Sequence, residues 1–548
     1  MLDLSLLRDG GSFGGPASPT RLAFLNQSCR TLNRLQSVRP SRFETHFPGL
    51  GLLNLAHSLR CDIEAGRVPP IEMTFIDEEQ FSNADALIQF LERWLEPASR
   101  RIVAASTYTM TLGPLLSLMR RLDPRKYLIV LGGAHTTTSP DVDAAHVVVR
   151  GEGGAAMRHI LTTVLTDRFG LGPEAQGICY LLDGKKVVQA PATDRSMEHL
   201  PPPGFAYDLL PTAGVVYATN ILRKLGRRPQ VYVCTQSCRA RCTFCSTYLI
   251  HRNVVARSLD LIRKDLDIII NQLGYDALEF HDDDLMQHPE LNGLMDTLAQ
   301  FKVPWFCYAR VDLITDDVAQ VLAAAGCRRV FLGIESMQQE KLDYFNKGTT
   351  TNGNRTAVEA LAAAGVGAIA GFIIGAPDDT VSSVLHDVDA FLAMPLFGLQ
   401  VSVLSPDPGT VEHYRARKMG EETAVAFGRR PMQKLTPDIE RWGADPPVGL
   451  PSMCRDVAKA ELNRLRRLAF CEFYFREHVW DQLMAGKSAE DASIVEEFYV
   501  QTLTETYCAL RESDGDAAVN ERVAALVERV ESAGWIAPFR GLTTTSTP

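Results

Sequence analysis

Three thiols within eight residues, Cys238-Arg-Ala-Arg-Cys242-Thr-Phe-Cys245, form the most chemically pointed stretch of the chain. Their C-x3-C-x2-C spacing puts three soft ligands on one short loop, just past the apolar run Val231-Tyr-Val-Cys234. Three thiolates can hold three irons of a [4Fe–4S] cluster, which normally takes four cysteines. The fourth iron then lacks a thiolate from this loop, and an open coordination position is where a metal does chemistry. Zinc is the competing reading, with Cys234 or His251 drawn in as a fourth donor. The second C-x2–4-C knuckle that usually accompanies structural zinc is missing.

Other residues able to do chemistry stand at the ends of later apolar runs. Phe280-His-Asp-Asp283-Asp-Leu places three carboxylates in a row, suited to a helix N-cap or to the cationic part of a ligand. Tyr308-Ala-Arg310-Val-Asp312 offers a guanidinium that can grip a carboxylate in bidentate fashion. Leu332-Gly-Ile-Glu335-Ser336 adds an acid and a hydroxyl. Gly371-Phe-Ile-Ile-Gly375-Ala-Pro377 breaks a strand with glycines, and Ser405-Pro-Asp-Pro-Gly409-Thr410 ends a sixth run. Each also has a plain reading as a surface turn, a solvated charge or a bulge.

The elements that must carry these residues alternate regularly. Strand candidates are Val231–Cys234, Ala277–His281, Trp305–Ala309, Arg329–Gly333, Gly367–Gly375 and Leu399–Leu404. Helical patterns between them run near Leu259–Leu273, Pro289–Phe301, Asp316–Ala325, Asn354–Ala364 and Val381–Ala393. Six βα units predict a partial (β/α)6 TIM-type barrel whose working face lies at the strand C-termini. The thiol loop follows the first of these strands and therefore lands on that face.

The first third alternates in the same way, from Arg21-Leu-Ala-Phe-Leu25 to the pattern at Ala155–Leu165. Near-continuous apolar strands mean a parallel sheet covered on both faces, a Rossmann-like (flavodoxin-like) domain. Ligands of such sheets bind beyond the strand C-termini at a topological switch point. Those ends read Ser106-Thr107-Tyr-Thr, Leu131-Gly132-Gly133-Ala-His135 and Arg150-Gly151-Glu152-Gly153-Gly154. Glycines there let backbone approach a ligand closely, or simply make tight turns. Gly177–Gln189 reads as a hairpin turning at Asp183-Gly184.

Taken in order, these motifs resemble the cobalamin-binding domain found in front of many radical S-adenosylmethionine (SAM) enzymes, over roughly residues 20–165. Cys238-Arg-Ala-Arg-Cys242-Thr-Phe244-Cys245 matches the radical SAM signature, including the aromatic residue before the last cysteine. "F-x-D-D-x-F", "R-x-D", "G-x-E-S", "G-x-x-x-G-x-P-x-E-T" and "P-x-P-G-T" have counterparts at successive strand ends, with Asp379 where the family usually has Glu. The resemblance implies that Cys238, Cys242 and Cys245 hold the [4Fe–4S] cluster and that SAM chelates its fourth iron. It implies SAM contacts from Phe244, Asp283, Arg310, Glu335, Ser336, Gly371 and Gly375. For cobalamin it implies contacts from Ser106, Thr107, Gly132, Gly133, His135, Gly151, Glu152 and Gly153. Two departures stand out: the D-x-H-x-x-G motif for a cobalt-ligating His is absent, and Gly154 replaces the second Glu of "G-E-G-E".

At 548 residues the chain is long enough for several domains with real cores. The boundaries expected are 1–19 as a flexible N-terminus, 20–195 as the cobalamin-binding domain and 196–228 as a Pro-rich linker. Residues 229–430 form the radical SAM core and 431–548 a helical region with a disordered tail. The basic face of Lys459, Arg464, Arg466 and Arg467 reads as solvated. A net charge of −10 argues against nucleic acid as a general partner. No apolar stretch reaches the ~18 residues of a membrane span, and Met1-Leu-Asp-Leu, without a basic run leading into an apolar one, gives no expectation of a signal peptide. Its 12 cysteines are scattered apart from the 234–245 group, as suits a reducing cytoplasm.

The implied activity is a cobalamin-dependent radical SAM methyltransferase acting on an unactivated carbon of a small-molecule or peptide substrate. An electron donor such as flavodoxin or ferredoxin would supply it. In this scheme reductive cleavage of SAM gives a 5′-deoxyadenosyl radical that takes a hydrogen atom from the substrate, and methylcobalamin supplies the methyl group. Rival readings are an oxidative cyclase or ring-rearranging enzyme on the same frame, and a non-catalytic cobalamin or redox sensor. Methylthiotransfer fits less well, since neither its N-terminal cysteine set nor a C-terminal RNA-binding barrel is present.

Overall fold

The computed structural model describes residues 1–9, 19–26, 49–108, 111–165, 176–192, 197, 206–210, 225–418, 453–497 and 503–534. The chain folds as α/β. In the first domain, β1 (Thr20–Asn26), β2 (Glu72–Asp77), β3 (Arg100–Ser106), β4 (Tyr127–Gly132) and β5 (Val147–Val149) pair in parallel. β6 (Ile178–Leu182) and β7 (Lys185–Val188) join as the predicted hairpin, and the sheet order is β2-β1-β3-β4-β5-β6-β7. The strand order reverses between β1 and β3, which is the switch point of a doubly wound sheet.

Alternation along β1 shows why both faces are covered. Leu22 and Phe24 pack with Leu52, Ala56, Met157 and Ile160 of helices Leu50–Glu64 and Gly153–Leu165. Ala23 and Leu25 pack oppositely with Leu87, Leu91 and Leu115 of helices Ala84–Leu95 and Leu112–Met119. Successive strand residues face opposite ways, so a strand apolar at every position needs helices on both sides.

The extreme N-terminus corrects the expectation of a loose segment. Leu4 and Leu7 are buried, and Leu4 N–H donates to Leu181 O at 2.8 Å. Asp3 accepts from the N–H groups of Asp183 (3.0 Å) and Gly184 (2.8 Å), tying down the turn of the β6–β7 hairpin. Both turn residues have positive φ (48° and 74°), as a two-residue hairpin turn requires. The apolar spacing of residues 2–7 outweighs the Gly/Pro/Ser bias, which belongs to residues outside the described set.

The second sheet contains β8 (Pro229–Tyr232), β11 (Ala277–Phe280), β12 (Trp305–Ala309), β13 (Cys327–Glu335), β14 (Gly367–Ile374) and β15 (Gly398–Val403). They pair in parallel and in chain order. This is the predicted six-stranded partial barrel. The short strands β9 (Thr235–Gln236) and β10 (Val255–Ala256) pair antiparallel and close the base of the thiol loop. Helix Lys459–Tyr474 packs on β15, and the Tyr474 hydroxyl bridges the amide and carbonyl of Leu399, both at 3.1 Å. Arg464 on that helix is buried and donates to Ser513 Oγ at 3.0 Å and to Asn520. The basic stripe is therefore not uniformly solvated, because the following helices fold back over it. The expected linker and the C-terminal tail lie largely outside the described residues.

Candidate active site

The thiol loop is clamped along its length. Ser237, held at φ 73°, donates its N–H to Asp283 Oδ2 at 2.8 Å, and Arg239 N–H donates to Gln287 Oε1 at 2.9 Å. Thr243 N–H donates to Phe345 O, and the Arg241 guanidinium turns back onto the carbonyls of Cys238 and Ala240. Phe244 packs edge-on against Phe345, with ring centroids 5.2 Å apart.

Each thiol of the loop meets an N–H donor. Gln287 Nε2 donates to Cys238 Sγ at 3.2 Å, Thr247 N–H to Cys245 Sγ at 3.4 Å, and Arg310 Nη1 to Cys242 Sγ at 3.7 Å. Burial pushes the Cys238 and Cys245 thiols up from their ordinary value, so a bound metal has to favour the thiolate. A sulfur that accepts hydrogen bonds is what a cluster thiolate uses to tune its potential. The donor set fits a [4Fe–4S] cluster. Among the described residues no three His, Cys, Asp or Glu side chains converge tightly enough to hold one metal ion. A cluster is a larger body whose three thiolates stand on separate irons.

The strand ends around the loop sort the predicted SAM residues into two groups. Arg310 spans the mouth: Nη2 donates to Lys347 O at 2.7 Å and Nε meets Asp312 at 2.9 Å. Glu335 sits on the bulge between β13 and β14 at φ 68° and accepts from the buried Lys347 at 2.8 Å. Asp283 lies at the rim, exposed, and also accepts from Thr247 Oγ1 at 3.2 Å. Asp283, Arg310 and Phe244 stand at the thiol loop, and Glu335 connects to it through Lys347, whose carbonyl holds Arg310. Ser336 does neither. It is fully buried and donates to Asp387 of helix Val381–Leu392 at 2.7 Å. The bulge at this strand end breaks the alternation, and the Ser336 hydroxyl is taken up by that buried carboxylate.

Gly371 in β14 and Gly375 just past its end also have internal reasons. A Cβ on Gly371 would stand 3.1 Å from the Phe331 ring, and Gly375, at φ 88°, is packed against Leu462 and Val403. Asp379 accepts from Gly375 N–H at 2.7 Å and Ala376 N–H at 3.0 Å, and pairs with Lys341 at 2.9 Å. Here it fixes the strand-end turn, so Asp in place of Glu keeps a defined role.

On the facing domain, Thr107 Oγ1 donates to Gly132 O at 2.7 Å and lies 3.1 Å from Thr136 Oγ1, which locks the β3 and β4 ends together. Gly133 (φ 104°) has Ser106 Oγ and the Thr107 backbone within 2.8 Å of where a Cβ would stand, and Gly151 (φ 77°) is crossed by Ala192. Both glycines thus have a reason in the protein's own backbone. Gly153 is different: a Cβ there would meet only Leu55, at 3.9 Å, at the start of helix Gly153–Leu165. His135 is buried, which lowers its pKa to about 4 and keeps it neutral.

The two sets of strand ends meet. Glu152 Oε1 lies 2.9 Å from His251 Nδ1, across 99 residues of sequence. A Cβ on Gly409, after β15, would stand 3.1 Å from Thr138 and 3.3 Å from Leu249. Arg257 donates to Met197 O at 2.8 Å while pairing with buried Asp265. Gln287, Thr247 and Lys347 also stand beside the thiols and Glu335, a placement that the sequence motifs above do not mark. His251 had been weighed only as a zinc donor. A separate hollow of about 710 Å³, lined by Arg263, Asp267 and Gln300, lies on outer helices away from the strand ends.

Residues 232–391 match the model of the radical SAM superfamily. Those residues are a radical SAM domain. An uncharacterized methyltransferase of Pyrococcus horikoshii is 27% identical over 366 residues, covering 64% of this chain and 73% of the relative. The anaerobic magnesium-protoporphyrin IX monomethyl ester cyclase of Rubrivivax gelatinosus is 26% identical over 283 residues, 49% of each chain. The radical SAM methyltransferase TsrM of Kitasatospora setae, solved with cobalamin and a [4Fe-4S] cluster, aligns with a TM-score of 0.56. That alignment covers 87% of this chain and 99% of TsrM at 16% identity, a likeness of fold. The chain thus shares the two-domain fold of that structure. Among its described residues no helix is long and apolar enough to cross a membrane.

Proposed function

We propose that this radical SAM protein is a cobalamin-dependent methyltransferase that adds a methyl group to an unactivated carbon of a small-molecule or peptide substrate. The supporting observation is the apposition of the two sets of strand ends at Glu152–His251 and Thr138–Gly409. A methyl carrier held by the first domain would there face a radical source held by the second.

When bound, the cofactors supply one-electron cleavage and a transferable methyl group, while the protein aligns them and excludes water. Cys238, Cys242 and Cys245 would hold the cluster, with Gln287, Arg310 and Thr247 donating to their sulfurs. Arg310, Glu335, Asp283 and Phe244 line the ground beside it. Lys347, buried against Glu335, neutralises that carboxylate and fixes its direction. The loops carrying Ser106, Thr107, Gly132, Gly133 and Gly153 would carry cobalamin, and β3 lies at the switch point where such sheets take ligands. An acidic one-electron carrier such as flavodoxin or ferredoxin would reduce the cluster in the cytoplasm.

The cyclase relative favours a second reading, an oxidative ring closure on the same frame. Anaerobically reconstituted protein, given SAM, hydroxocobalamin, a reductant and candidate substrates, separates the two by product mass. Methylation adds ~14 Da and simple oxidative cyclisation removes ~2 Da. Protein that binds neither hydroxocobalamin nor SAM would overturn both.

A further inference from the structure

Glu152 stands at the β5 end of the first domain, in the glycine-rich loop expected to touch cobalamin. Its carboxylate is directed instead at His251, 2.9 Å away, six residues past Cys245. The His251 carbonyl accepts from Ser237 Oγ, and the Ser237 N–H is held by Asp283 at 2.8 Å. Ser237 directly precedes Cys238 and is locked at φ 73°, a conformation that leaves a non-glycine residue little freedom. A continuous hydrogen-bonded line therefore runs Glu152–His251–Ser237–Asp283, from the strand ends of one sheet to the first thiol and the β11 end of the other. Helix Thr247–Ile250, between Cys245 and His251, touches helix Ala134–Thr138 of the first domain and presses the same joint.

We propose that Glu152 and His251 are positioning residues: a latch that sets the distance between the group carried by the first domain and the thiol loop of the second. The proposal rests on the functional reading above, and extends it by giving Glu152 a partner in the protein in place of the corrin. In the reaction, one electron from the external carrier breaks the S–C5′ bond of SAM and releases methionine. The adenosyl fragment ends as 5′-deoxyadenosine once it has taken a hydrogen atom, from substrate when the parts are aligned and from buffer or protein when they are not. Loosening the latch uncouples cleavage from transfer without removing either binding site.

Three full-length variants test this: Glu152→Ala, His251→Ala and the exchanged pair Glu152→His with His251→Glu. Both side chains are partly exposed, so the variants are expected to fold. In cofactor-free protein, hydrogen–deuterium exchange across 247–256 is expected to rise about tenfold in either single variant and to fall back in the exchanged pair. Hydroxocobalamin affinity is expected to stay within about twofold of wild type in all three. In reconstituted protein, pulsed EPR of the reduced cluster against Co(II) is expected to show a broadened distance distribution in the single variants only. Unchanged exchange in both single variants overturns the latch. So does a loss of hydroxocobalamin binding in Glu152→Ala alone, which would make Glu152 a corrin contact. Wild-type protein that binds no hydroxocobalamin overturns the functional reading, and the exchange experiment still decides whether the two residues join the domains.

Discussion

Arg310 donates one guanidinium nitrogen to Cys242 Sγ at 3.7 Å and another to Lys347 O at 2.7 Å. A positive charge thus stands beside one sulfur of the thiol loop, anchored by the Lys347 carbonyl. Positive charge and hydrogen bonds at cluster sulfurs favour the reduced state. Arg310→Gln is expected to lower the cluster potential by roughly tens of millivolts. EPR-monitored redox titration of the reconstituted protein checks this; an unchanged potential would dissociate Arg310 from the cluster.

Cys242 is the middle thiol of the loop and is buried. Cys242→Ala removes one iron's ligand, and no nearby thiol of the loop is free to replace it. The broad absorbance at ~400 nm and all SAM cleavage are expected to disappear. Full cleavage activity in this variant would sink the site assignment.

Gly133 carries the junction between the β3 and β4 ends. Gly133→Ala would place a methyl group 2.6 Å from Ser106 Oγ and 2.7 Å from Thr107 N, at φ 104°. Strain of that kind is expected to destabilise the first domain by about 2–3 kcal/mol and to weaken hydroxocobalamin binding. Urea denaturation followed by circular dichroism, together with absorbance titration, reads both effects.

His135 is neutral because burial lowers its pKa from 6.5 to about 4. The unfolded chain therefore binds more protons than the folded one between those two values. The contribution is full above pH 6.5 and is lost as pH falls toward 4. It amounts to about 3 kcal/mol, and buried His146, also lowered to about 4, adds in the same direction. His135→Gln is expected to flatten the acid side of the stability curve in cofactor-free protein. Urea midpoints at pH 5 and 7.5 that fall equally in wild type and variant would refute it.

Sequence alone determined whatever depends on local spacing. The thiol loop, the two runs of parallel strands and the order of motifs at their ends were all legible, because ligand spacing and strand alternation are short-range properties. The hairpin at Asp183-Gly184 was legible for the same reason. Only the tertiary structure decided which way neighbouring side chains point and what they meet. Glu335 turns inward and Ser336 outward because a bulge lies at that strand end, a feature set by pairing with β14. Gly133 and Gly151 answer to chain segments 25 or more residues away, so sequence could mark them as special without saying for what. Arg464 is buried by helices that follow it, and the burial of Leu4 and Leu7 depends on the packed first domain. Glu152 and His251 show the limit most clearly. Nothing within either local sequence selects the other, and their hydrogen bond exists only because two separately folded sheets face each other across it.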